Sequence, residues 1–196
     1  MGPKATAPHV APGARSCLPC AAKEGIRRNK RHPGMPQDQI DASLFSRDMY
    51  EFLVLLHKHA VKYMIVGGEA VIFHGYARLT GDIDFFYERS KENAGKLFNA
   101  LLEFWAGSVP GLREAEELLE PGLILQFGVP PNRIDLINQI SGVSFGDAWQ
   151  SRKTIALAGP SPATIHYLGI QSLIKNKKAS AREKDLDDVK HLEELI

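Results

Sequence analysis

Three aspartates stand out by their setting. Asp82 and Asp84 lie in "TGDIDFF", residues 80–86, on alternate positions of a segment otherwise fit to be buried. Asp135 lies in "NRIDLIN", between Ile134 and Leu136. On a strand, alternate side chains share a face, so Asp82 and Asp84 point the same way with Cα atoms about 6.6 Å apart, while Ile83 and Phe85 point into the core. An unpaired charge in such a place is costly. Two carboxylates so arranged repel each other unless a cation lies between them, and oxygen-rich sites suit Mg²⁺. If the strands carrying Asp84 and Asp135 are neighbours, three carboxylates meet on one face. Such a set can hold two metal ions about 3.5–4 Å apart, the arrangement that stabilises attacking and leaving oxygens in phosphoryl transfer. The plainer reading is three polar residues on ordinary half-solvated strands.

Upstream, "VGGEAVIFHG" runs from an apolar stretch into Gly67-Gly68 and then into a short helix closed by Gly75. Glycines there let backbone approach a ligand and aim free N–H groups at it, which suits phosphate. A tight strand-to-helix turn also favours glycine without any ligand. No GxxxxGK[ST] is present, so this is not a P-loop. Arg78 and Thr80 lead into the acidic strand, where a guanidinium would neutralise a triphosphate.

The elements that must position these residues are readable from residue 46 onward. "SRDMYEFLVLLHKHA" has apolar residues at 49, 52, 53, 56 and 60, a helical face behind a Ser46 N-cap. "KYMIVGG" and "DIDFFYE" read as strands, and "SKENAGKLFNALLEFW" as a helix from a Ser90 cap, with Ala94, Leu97, Phe98, Leu101 and Trp105 on one face. "LILQF" and "RIDLI" are strands joined by the turn "GVPPN", and "KTIAL" is a candidate fifth. After "GPSP" the spacing of Tyr167, Ile170, Leu173 and Ile174 predicts a helix, and Leu186, Val189, Leu192 and Ile196 mark the last one. The order predicts an α/β or α+β domain over residues 37–196, with C-terminal helices across 160–196. His57 and His59 lie about 200° apart around a helix and cannot share a metal. His74 reads as a helix-end polar contact, and Trp105 and Trp149 as packing residues.

The 196 residues are 44% hydrophobic and 24% charged, the balance of a soluble globular chain. No apolar run approaches the roughly 18–20 residues that span a membrane. The basic N-terminus lacks the apolar core of a secretory signal, so a cytoplasmic location is expected. Cys17 and Cys20 form a CxxC with no second cysteine pair to complete a zinc site, so they read as reduced thiols. Residues 1–36 hold seven Lys and Arg against one acid, a net +6, so the rest of a chain of net +1 carries −5. This Pro-, Gly- and Ala-rich segment reads as a disordered basic leader. It is either an arm for nucleic acid or a dispensable extension ahead of a start at Met35.

The glycine pair, the short helix, "HGYARLTGDIDFF" and the later "RIDLI" together resemble the DNA polymerase beta-like nucleotidyltransferase superfamily. Within it, "IVGGEAVIFHGYARLTGDID", "PPNRIDLINQISGVSFGDAW" and "LIKNKKASAREKDLDDVKHLEEL" look like the branch related to abortive-infection (AbiEii-like) toxins. The resemblance covers about residues 49–196. It implies a mixed sheet flanked by helices, two Mg²⁺ ions and a nucleoside triphosphate donor. By matching positions, Asp82 and Asp84 would bind both metals, and Asp135 would hold the catalytic metal and help deprotonate the attacking hydroxyl. Gly67 and Gly68 would cradle the β- and γ-phosphates. Lys177 best matches the family's C-terminal lysine, with Lys175 and Lys178 as neighbours in contention. One departure is Glu69, where the superfamily commonly has a serine that helps bind phosphate. Arg182, Lys184, Asp185 and Asp188 follow, a run that also reads as a solvated helix face.

The expected function is Mg²⁺-dependent transfer of a nucleoside monophosphate to a hydroxyl, on RNA, protein or a small molecule, with an antitoxin partner if the toxin analogy holds. Two alternatives stand beside it: a nucleotide-binding module of the same fold without turnover, and a nucleic-acid-binding protein acting through the basic arm.

Overall fold

The computed structural model describes residues 38–196. The basic leader and its CxxC lie outside the described residues. Among the described residues, seven strands form one mixed sheet flanked by helices: β1 (Gln39–Asp41), β2 (Tyr63–Val66), β3 (Asp82–Tyr87), β4 (Ile124–Phe127), β5 (Arg133–Ile137), β6 (Lys153–Ala158) and β7 (Ala163–Tyr167). Their order across the sheet is β1-β6-β7-β2-β3-β5-β4. The central pairs are β7 with β2 (parallel), β2 with β3 (antiparallel) and β3 with β5 (parallel). The "GVPPN" turn joins β4 and β5 as an antiparallel pair.

The helices are α1 (Arg47–Lys58), α2 (Gly67–Phe73), α3 (Lys91–Phe104), α4 (Phe145–Gln150), α5 (Ile170–Ser180) and α6 (Glu183–Glu193). Two start as the sequence predicts: the Ser46 hydroxyl accepts from the Met49 N–H and the Ser90 hydroxyl from the Asn93 N–H. The short α4 was not anticipated, although Ser144 caps it in the same way through the Asp147 N–H. Helix α1 packs on α3 and on β7, and α5 packs on α6 and on α2. Among the described residues, no helix is long and apolar enough to cross a membrane.

The core explains why β3 carries acids at one end only. Phe85 is fully buried and meets Phe52 of α1 edge-on, with ring centroids 5.3 Å apart. Phe86 continues the face of Asp82 and Asp84, and α4 covers it through Phe145 at 5.2 Å. The acid face is therefore closed by aromatic packing toward the end of β3 and open at its start.

Three expectations need correction. Ala163–Tyr167 is a strand and not a helix start: Ala163, Ile165 and Tyr167 are buried while Thr164 and His166 are half-buried, a period of two. The 160–196 segment is thus a strand followed by a helical hairpin, α5 beginning only at Ile170 behind Gly169. The buried face of α6 is also rotated from the one predicted. Leu186 and Ile196 are exposed, and the inward positions are Asp185, Asp188, Val189 and Leu192. Ala60, placed on the α1 face, lies beyond the helix at φ 51° and is exposed.

Candidate functional site

The sheet register brings the three aspartates together. In the parallel β3–β5 pair, Asp84 lies opposite Asp135 and Asp82 opposite Arg133. In the antiparallel β2–β3 pair, Asp84 lies opposite Val66, the last residue before Gly67. One strand position thus gathers two acids and the glycine turn.

That turn is pressed against the acids. Gly67 has φ +63°, and a Cβ there would collide with Oδ2 of Asp84. Glycine is required on both counts. A Cβ on Gly68 would come within 2.7 Å of the Thr80 hydroxyl and 3.0 Å of Nη2 of Arg78. Four of the residues singled out in the sequence, Gly67, Gly68, Arg78 and Thr80, therefore share one small volume beside Asp84. Thr80 donates its hydroxyl to Asp82, to Oδ1 at 3.0 Å and to the carbonyl at 3.1 Å, which fixes the start of β3.

Arg133 is the residue the sequence reading missed. Its Nε donates to Oδ1 of Asp135 at 2.7 Å, and its Nη2 donates to Oδ2 of Asp135 at 2.9 Å and to Oδ2 of Asp82 at 2.5 Å. A single guanidinium bridges two of the three carboxylates in a bidentate fork. The signal was present: two residues before Asp135 on a strand, Arg133 must share its face. Gln126 of β4, opposite Asp135 in register, donates to Oδ2 at 2.9 Å.

Asp84 is left as the acid to which no described side chain donates. Burial, and then repulsion from Asp82 and Asp135, push its carboxyl up to about 6, against the opposing pull of Lys177 and Arg133. Hydrogen bonding to Asp135 raises the Arg133 guanidinium further above its ordinary value.

A second network lies behind the glycine turn. Lys177 is 3% exposed, and its Nζ lies 2.8 Å from Oδ1 of Asp185 and 2.8 Å from Oδ2 of Asp188, which are themselves 0% and 1% exposed. Arg78 is the second partner of Asp188: Nη2 donates to Oδ2 at 3.2 Å, and Nε sits 2.9 Å from Oδ1 without hydrogen-bond alignment. Arg182 pairs with Asp185 from the surface. Lys177 is thus a buried tie between α5 and α6, whereas Lys175 is exposed and Lys178 pairs with Glu193 at the surface. The run through 188 is consequently a solvated face only in part.

The remaining polar readings hold. His74 caps α2, its Nε2 2.8 Å from the Leu168 carbonyl. His59 pairs with Glu103, and the His57 ring accepts from the Thr164 N–H. Trp105 packs on Phe104 and Phe127, and Trp149 on Phe145. Glu69 is half-buried; burial, and then the Glu69 charge, hold the Tyr167 hydroxyl well above its ordinary value. A cavity of about 720 Å³ beside α3, lined by Phe98, Leu102, Val109, Leu112 and Arg113, shares no residue with the acid face.

Among the described residues, no group of three or more His, Cys, Asp and Glu side chains stands ready to hold a metal ion. At the acid face, both oxygens of Asp135 and Oδ2 of Asp82 are engaged by Arg133. The residues nevertheless fit a divalent cation. The donors are hard carboxylate oxygens, a positive group is already drawn between two of them, and the third is raised by burial and then by like charge. No family model matches the chain, and no curated protein matches it either.

Proposed function

We propose that the chain is a Mg²⁺-dependent nucleotidyltransferase of the DNA polymerase beta-like type, moving a nucleoside monophosphate from a triphosphate to a hydroxyl with release of pyrophosphate. The observation that carries this reading is the register of Asp84 against Asp135, with Asp82 on the same face and the glycine turn against Asp84. Asp82, Asp84 and Asp135 would hold the metal, two ions in the fullest form of the reading. The metal would supply charge neutralisation on the phosphates and polarise the attacking oxygen.

The protein's own residues have separable tasks. The glycine turn keeps side chains away from Asp84 and leaves backbone to approach the donor. Thr80 anchors Asp82. Arg78, held by Asp188, carries positive charge to Gly68, where donor phosphates would be received. Asp135 is the base candidate for the acceptor hydroxyl. The acceptor is RNA, protein or a small molecule, and the toxin-like motifs favour an antitoxin partner in a cytoplasmic setting.

The experiment is incubation with each α-labelled triphosphate, Mg²⁺ and separate pools of cellular RNA, protein and small molecules. Label should enter one pool in the wild type and in none with EDTA. Tight triphosphate binding without labelling of any pool would replace the reading with that of a nucleotide-binding module. The specific observation on that side is the Arg133 bridge across two of the acids.

A further inference from the structure

The acid face already contains a cation. Arg133 reaches both oxygens of Asp135 and one of Asp82, the same oxygens that a metal bound across these strands would need. Gln126 adds a further donor to Asp135. Each carboxylate oxygen has lone pairs to spare, but a guanidinium and a divalent ion on the same oxygens repel strongly at this range. The two cannot occupy the acids together in the geometry observed.

The side chain is also free to leave. Arg133 is 28% exposed and Asp82 32%, whereas Asp135 is 7%, so the guanidinium lies on the solvent side of the buried acid. No described side chain other than these two acids holds it by a hydrogen bond or ion pair. Its strand position is fixed by the β3–β5 register, so it can swing outward without moving the backbone.

We propose that Arg133 is the resident counter-ion of the acid cluster, an internal cation that a divalent metal must displace in order to bind. The proposal rests on the reading of these acids as a divalent-cation site. It has two consequences. Without metal, Arg133 keeps Asp82 and Asp135 from repelling each other, so the strands stay paired. With metal, the broken ion pairs weaken apparent affinity, and Arg133 thereby sets the concentration at which the site fills. Charged hydrogen bonds of this kind correspond to about ten-fold in a binding constant, or somewhat more.

The test is Mn²⁺ titration of the full chain by calorimetry and by the spin-resonance signal of free Mn²⁺, alongside thermal melts in EDTA and in Mn²⁺. Arg133→Met should bind Mn²⁺ about ten-fold tighter than the wild type. Its melting temperature should fall below the wild type in EDTA and recover when Mn²⁺ is added. Arg133→Lys, which keeps one charge without the fork, should lie between the two and covers the case in which the Met variant does not fold. Equal or weaker Mn²⁺ binding by both variants would overturn the proposal and leave the metal site standing. Absence of Mn²⁺ binding in wild type and variants alike would overturn the metal reading itself, and this proposal with it.

Discussion

Asp84 is the residue on which the chemistry and the stability of the site disagree most openly. It faces two other carboxylates, and the cations whose charge reaches it, Lys177 and Arg133, are paired with other acids. In metal-free protein this is a cost, so Asp84→Asn should stabilise the fold by about 1 kcal/mol in EDTA at pH 8. Urea unfolding of the two proteins checks it, and a destabilised variant would mean that Asp84 has a structural partner. Gly67→Ala has the opposite sign. It combines a left-handed backbone with a collision against Asp84, and should cost about 1–3 kcal/mol. Its melting temperature is the measure, and an unchanged value would show that the turn relaxes freely. The acids and the glycines were legible because strand alternation and a strand-to-helix turn are local patterns. Arg133 shares the face that the same alternation dictates, but its bridge to Asp82 depends on the β3–β5 register, which no local pattern shows.

Among the elements, the helical hairpin α5–α6 works differently from what an amphipathic pattern suggests. Its inward face is built on charge, with Lys177 between Asp185 and Asp188, and the network extends through Asp188 to Arg78 beside the glycine turn. Removing Lys177 takes the buried cation from between two fully buried acids, leaving Asp185 with Arg182 and Asp188 with Arg78 alone, at a cost of about 3–5 kcal/mol. Lys177→Ala should therefore destabilise the protein by that amount, while Lys178→Ala, at the surface, should change stability by less than about 0.5 kcal/mol. Denaturant unfolding of both variants tests this, and equal small effects would mean that the buried network does not hold the hairpin. The sequence made Leu186 the inward residue because hydrophobic spacing was the only guide there. A face built of Asp185 and Asp188 becomes visible only once Lys177 and Arg78 are seen opposite. Strand β7 was hidden for a related reason: Tyr167 falls in helical spacing with Ile170 and Leu173, and only the break at Gly169 separates the two periods. The three-residue β1 is too short to show any period.

At the scale of the whole molecule, the two sides of the sheet carry different burdens. On the β6–β7 side, His166 lies between Trp149 and Tyr63, with Nδ1 3.1 Å from the Thr154 hydroxyl. Burial, and then the charges of Arg152 and His57, lower it to about 4. The native state resists the proton while the unfolded chain takes it near 6.5, so this contribution to stability is full above about pH 6.5 and is lost as pH falls toward 4. Wild-type stability should drop by about 1–2 kcal/mol more than that of His166→Gln between pH 7 and pH 5, and parallel pH profiles would remove His166 as the cause. On the β3–β5 side, the central claim is that the three acids serve phosphoryl transfer. The measurement that bears on it most directly compares the initial rate of label transfer from triphosphate to acceptor, in Mg²⁺, for wild type and Asp84→Asn. The account predicts a fall of at least about 100-fold with the fold intact by circular dichroism. Transfer by Asp84→Asn at the wild-type rate would contradict it.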